Sequence, residues 1–235
     1  SPVTMGRNGR SRWSEIPKWI ERVVHLFNGV VRGSERQDFL GRRAVIRPRR
    51  TTGGKMFFDR DVDIEQKVDT SMLSLPSEKR AASEDGLSEN HAYVDVRGVT
   101  SDEAREMAEE ERELLQRILA LDDENQDSTI EEIEDALREE FHPLAGFDLG
   151  VGGLVLALSS IGCIPISSCN GGVMGGTHSL PHPWIVFHAP VATIDQLLSA
   201  AVGAGVGLVN NDGGMLELYS GSVSNFNEMA TVLTS

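Results

Sequence analysis

From residue 149 to residue 235 the chain contains no lysine and no arginine. A phosphate bound by this stretch would find no local side-chain cation, and the lysine of a P-loop is missing. Cysteine is scarce as well, with only Cys163 and Cys169. Both fall in one predicted strand, where ~3.3 Å per residue sets their Cα atoms roughly 20 Å apart, beyond the ~7 Å that a disulfide spans. Two unbridged thiols suit a reducing compartment. No window approaches the roughly 20 apolar residues of a membrane span. Arg7, Arg10 and Arg12 lead into Trp13-Ser14-Glu15, which is too polar for the core of a secretory signal. The expectation is a cytoplasmic protein with no membrane contact.

The charge that is present is placed unevenly. The net charge is −14. Residues 1–60 hold 14 Lys and Arg against 5 Asp and Glu, residues 61–148 hold 8 against 27, and residues 149–235 hold none against 4. A basic head, an acidic middle and a nearly uncharged tail do not make one uniform surface. Forty per cent apolar residues is enough to build a core. The division expected is a basic N-terminal region over 1–60, a polar linker over 61–90 and a folded domain over 91–235.

Within the head, Trp13, Ile16, Ile20, Val23, Val24, Phe27, Val30 and Val31 recur at helical spacing and predict an amphipathic helix over 13–31. Trp13 and Trp19 on so short a helix suit a docking face. Ala44-Val45-Ile46 and Met56-Phe57-Phe58 read as short strands of a hairpin. In the folded part, His91–Val96 reads as a strand. Thr100 with Glu103 is a capping box that opens a helix ending near 121, and Ser128 with Glu131 opens a second to about 140. Asp148 is the expected cap of an apolar helix over 151–160. Strands are expected at 163–168, 184–188, 206–210 and 215–219, with a turn at 211–214. Helices are expected at 194–202, capped by Thr193, and at 224–233. Consecutive strands without a helix between them argue for an α+β fold, a mixed or antiparallel sheet with helices packed on one side.

Both cysteines and three of six histidines lie between 163 and 188. A strand ending at Ser168 delivers Cys169 and Asn170 to its exit, ahead of the turn residues Gly171 and Gly172. Such a turn can place backbone N–H groups around an anion or planar ligand, which makes Ser167, Ser168, Gly171 and Gly172 candidate cofactor contacts. As a nucleophilic centre, Cys169 would take His182 or His188 as its base, with Asn170 orienting or stabilising the oxyanion. As a metal centre, Cys169, His178 and His182, with His188 as a further donor, are groups that zinc prefers. Against both stands the plain alternative of a small buried residue in a tight turn and of polar loop histidines. Glu217 alternates to the polar face of its strand; if that face is covered, it is a buried carboxylate.

The run Ile166-Ser167-Ser168-Cys169-Asn170-Gly171, followed by Trp184-Ile185-Val186-Phe187-His188, resembles the signature of the tRNA wybutosine-synthesising methyltransferases. The likeness covers roughly residues 150–235. It implies an α/β fold, a cleft at the Ser-Ser-Cys turn with Ser167, Ser168, Cys169 and His188 around it, and S-adenosylmethionine as cofactor. Asn170 stands where that family has serine, and Gly172 where it has arginine. With no cation after 149, RNA would be gripped by Arg42, Arg43, Arg47, Arg49 and Arg50 of the head. The leading expectation is a small-ligand or nucleotide-binding protein, an RNA-modification or nucleotide-processing enzyme with its pocket at 167–188. The alternatives are a non-enzymatic protein docking a protein partner through its Trp helix and basic segment, and a zinc-binding loop domain.

Overall fold

A computed structural model describes residues 61–77, 96–121, 123–139, 142–172 and 181–235, with the backbone alone over 123–127. Its helices are α1 Ser101–Leu119, α2 Asp123–Glu139, α3 Gly152–Ser160, α4 Ile194–Ala204 and α5 Val223–Leu233. Its strands are β1 Gln66–Lys67, β2 Ile164–Cys169, β3 Trp184–His188, β4 Gly207–Asn211 and β5 Met215–Tyr219. The expected helix over 13–31, the hairpin at 44–46 and 56–58, and the arginines from Arg42 to Arg50 lie outside the described residues. So does most of the expected strand 91–96, and Val96 itself belongs to no strand.

The strands form one sheet in the order β1-β4-β5-β3-β2. β1 runs parallel to β4, and the remaining three pairings are antiparallel. β5 therefore lies between β3 and β4, which α4 connects. Alternation along the strands sends Ile185, Phe187, Leu208, Leu216 and Leu218 to one face, where each is fully buried with apolar residues of the helices. The opposite face carries Ser167, Trp184, Val209, Met215 and Glu217, all half-buried. This is the mixed-sheet α+β arrangement that the strand order predicts.

α1 starts where its capping box sets it. Thr100 Oγ1 accepts the Glu103 N–H at 3.2 Å, and the Glu103 carboxylate accepts the Thr100 N–H at 2.7 Å. α2 begins at Asp123, ahead of the Ser128–Glu131 pair. α4 runs on to Ala204 and ends on Gly205 in the left-handed region. The Thr193 hydroxyl does not cap it; it donates to the Pro190 carbonyl at 2.8 Å.

α3 is the centre of the molecule. Gly152 to Ser159 are all buried, between α1, α5 and β2. A helix buried from end to end must find acceptors for its first N–H groups inside the protein. Asp148 does not supply them, because the cap position is Val151, which offers no side-chain oxygen. Glu111 of α1 does so from across the interface. Its Oε1 accepts the N–H groups of Gly150 at 2.9 Å and Gly152 at 3.1 Å, and its Oε2 accepts that of Gly153 at 3.0 Å. Close approach makes this reach feasible: a Cβ on Gly153 would lie 2.8 Å from Oε2 and 3.0 Å from Ala108 Cα. Burial pushes the Glu111 pKa up to about 7, against the three N–H bonds that lower it.

Residues 61–77, a linker by composition, are stitched to the sheet. Gln66 and Lys67 form β1. The Asp69 N–H donates to Asn210 Oδ1 at 2.6 Å, and Asn210 Nδ2 donates back to the Asp69 carbonyl at 3.0 Å. The Ser74 N–H donates to the Gly214 carbonyl at 3.0 Å. Composition misses this because the strap buries few apolar groups; side-chain and backbone hydrogen bonds hold it, and their partners lie over 100 residues away in sequence.

Replacing Glu111 with Ala leaves three buried N–H groups without an acceptor and should cost about 3–5 kcal/mol, measured by urea unfolding. Because the folded-state pKa of Glu111 is raised above 4.5, its contribution is fully present below pH 4.5 and is lost as pH rises through about 7. Native stability should fall by about 3 kcal/mol at most across that window. In Glu111→Gln this part of the slope should be absent; an unchanged slope would show that Glu111 titrates normally.

Candidate functional site

Pairing across the sheet places Cys169 opposite Trp184, Trp184 opposite Tyr219, and Tyr219 opposite Gly207. These four residues form one row on the half-buried face, at the exit of β2 and the start of β3. The Tyr219 ring lies on Gly207, where a Cβ would stand 2.3 Å from Cζ. Its hydroxyl accepts the Glu65 N–H at 3.0 Å and donates to the Asp63 carbonyl at 3.3 Å. The His182 ring meets it edge-on, with centroids 6.1 Å apart. Tyr219 is thus fixed on three sides, and Trp184 is the half-exposed ring of the row.

The turn after β2 is held from below by the loop that opens α3. The Asn170 N–H donates to Asp148 Oδ2 at 3.2 Å, and Asn170 Nδ2 donates to the Leu149 carbonyl at 3.2 Å. The Gly171 N–H meets Cys169 Sγ at 3.3 Å, and the Gly172 N–H donates to Asn170 Oδ1 at 3.0 Å. All three turn N–H groups are therefore engaged internally and do not form the anion cradle that the glycines allow in sequence. Gly171 has φ +70°, and a Cβ there would stand 2.1 Å from the His182 backbone. Only glycine lets the two loops pack this closely.

The cysteine and the distal histidine are not brought together. Cys169 and His188 share a face, but His188 pairs with Ile164, four residues along β3 from Trp184, about 13 Å away at ~3.3 Å per residue. Its Nδ1 lies 2.7 Å from the Ser74 carbonyl; a carbonyl only accepts, so Nδ1 carries the proton. Asn170 uses its side chain on backbone groups. Burial pushes the Cys169 pKa up to about 11, the Gly171 N–H and Trp184 indole oppose the rise, and the Asp148 carboxylate adds to it. Cys163 is pushed up to about 12 by burial. Ser167 shares the face of Cys169 and Trp184, whereas Ser168 pairs with Ile185 on the helix side. The zinc set is not assembled among the described residues: no group of three His, Cys, Asp or Glu side chains there is placed to hold a metal, and His178 lies outside them.

Two polar atoms in this corner lack partners. His182, only 4 % exposed, has a buried Nδ1 with no hydrogen-bond partner among the described residues, and the same holds for Trp184 Nε1. The indole acts on the Cys169 sulfur and lowers its pKa. Burial lowers the His182 pKa, so the ring is neutral near pH 7. An unpaired buried polar group costs about 1–3 kcal/mol, and a ligand that pairs with it recovers that.

Glu217 lies in the adjacent row, opposite Val186 and Val209, diagonal to Trp184. Its face is partly covered, and burial raises its pKa. Asn211 Nδ2 donates to its Oε2 at 2.8 Å, while Asn211 Oδ1 accepts the Asp212 N–H at 2.6 Å, which fixes the amide that aims the carboxylate. Burial also raises the Tyr219 pKa, with further rises from the charges of Glu65, Glu217 and Asp63. The corner is aromatic and electronegative. A shallow hollow of about 190 Å³ lies elsewhere, between α2 and the 143–149 turn, and includes Glu134, Arg138 and Asp148.

No family model matches the chain, and no curated protein or solved structure matches it. The pairing of Trp184 with Tyr219 and the lone His182 nitrogen were not legible in sequence, since both depend on β5 inserting beside β3. The signal for Glu111 was present: it falls on the apolar stripe Ala104, Met107, Ala108, Leu115, Ile118.

With pKa values of about 11 and about 12, both thiols of the folded protein should react with iodoacetamide at pH 7.5 far more slowly than after unfolding in urea. Labelling of Cys169 at the unfolded rate would restore the nucleophile.

Proposed function

We propose that the exit of β2 and β3 binds a planar heteroaromatic ligand of the nucleobase class, stacked on Trp184. The observation that carries this reading is the pair of buried, unpartnered polar atoms, His182 Nδ1 and Trp184 Nε1, beside an aromatic row. A base offers a flat apolar face with hydrogen-bonding edges, which is what such a corner lacks. The resemblance of the Ser167–Gly171 run to methyltransferases of a tRNA base supports the same ligand class.

Methyl transfer from S-adenosylmethionine is the activity to which that resemblance points. The described residues offer a ring for its adenine but do not complete a site for it. The N–H groups of 170–172 are engaged within the turn, and no cation of the C-terminal region stands ready for its carboxylate. No transfer step follows from these residues.

Calorimetric titration with a panel of nucleosides tests the reading. At least one should bind, and His182→Ala should weaken it about tenfold, the effect of one lost buried hydrogen bond, with the melting temperature within a few degrees. No binding at millimolar nucleoside, or equal binding by the variant, would overturn it.

A further inference from the structure

We infer that the ligand of this corner is cationic, an N-alkylated nucleobase rather than a neutral base or a phosphorylated nucleotide. This deepens the nucleobase reading and rests on it. Glu217 and Trp184 are diagonal neighbours on one face of antiparallel β3 and β5, a spacing of about 7–8 Å that long and aromatic side chains bridge. Both are half-buried. Glu217 Oε2 is held by Asn211 at 2.8 Å, so the carboxylate is already ordered and a ligand need not pay to order it. Asp63 and Glu65 add negative charge around Tyr219.

Among the described residues, positive charge is sparse on this side of the sheet. The region from residue 149 onward supplies none. Lys67 of β1 lies in the row of Glu217, with Val209 of β4 between them, and is exposed. His182 stands against Tyr219 and is the second indication of a ligand, its Nδ1 buried without a partner among the described residues. An indole face next to an oriented carboxylate favours a flat cation over a flat neutral ring, because ring quadrupole and carboxylate both attract positive charge. The same field repels phosphate.

Two ligands of equal size differ in charge. N1-methyladenosine is cationic near pH 7, and N6-methyladenosine has the same heavy atoms without the charge. The full chain should bind the N1 isomer about tenfold more tightly, and adding a 5′-phosphate to it should weaken binding. Glu217→Gln, which keeps an oxygen for Asn211, should reduce the preference to within about twofold while affinity for the N6 isomer is unchanged. Equal binding of the two isomers by the native chain would overturn the cationic ligand and leave the nucleobase reading standing. A preference that survives Glu217→Gln would overturn the role of Glu217. Binding of neither isomer nor of any unmethylated nucleoside would remove both proposals.

Discussion

α3 is buried along nearly its whole length, and a buried helix cannot leave its first N–H groups to water. Glu111 answers that constraint from α1 by accepting from Gly150, Gly152 and Gly153. The arrangement fixes α1 against α3 with little room for variation, since glycines are required where the carboxylate and the Ala108 backbone come close. It also carries an electrostatic cost. The raised pKa shows that desolvation outweighs three hydrogen bonds to the charged form. The fold holds an ionisable group where it is poorly solvated, and Val151 at the cap position offers no side-chain acceptor in its place.

The constraint extends to the sheet. The loop that Glu111 holds is the loop that holds Asn170, through Asp148 and the Leu149 carbonyl. Asn170 shapes the turn at Gly171, and Gly171 packs on the backbone of His182. His182 meets Tyr219, and Tyr219 ties down the strap at Asp63 and Glu65. A continuous path of hydrogen bonds and close contacts therefore runs from the outer helix α1 to the open face of the sheet. The candidate site is rigid on the side of the turn and bounded on the other by a strap held mainly by hydrogen bonds. Polar groups left unpaired inside such a frame are not easily relieved by local movement, and the proposed ligand rests on that.

Local signals in the sequence were reliable where the chemistry was local. The Thr100–Glu103 box sits where its spacing places it, and β3 and β5 have the bounds that their alternation predicts. Signals failed where the partner was distant. Asp148 looks like a cap until Glu111 arrives from 39 residues away. Residues 61–77 look like a linker until Tyr219 and Asn210 reach them. Cys169 and His188 look like a pair because the sequence does not say that β3 runs its length between them.

Alternation, capping and turn chemistry were enough to set an α+β chain with its glycine turn at the end of β2, because each depends on neighbours within a few residues. The order in which strands lie side by side depends on contacts between segments far apart, and no short window records it. Tertiary structure alone placed β5 beside β3, and with it Tyr219 beside Trp184 and Glu217 one row away. That insertion turned a cysteine–histidine expectation into an aromatic and carboxylate corner.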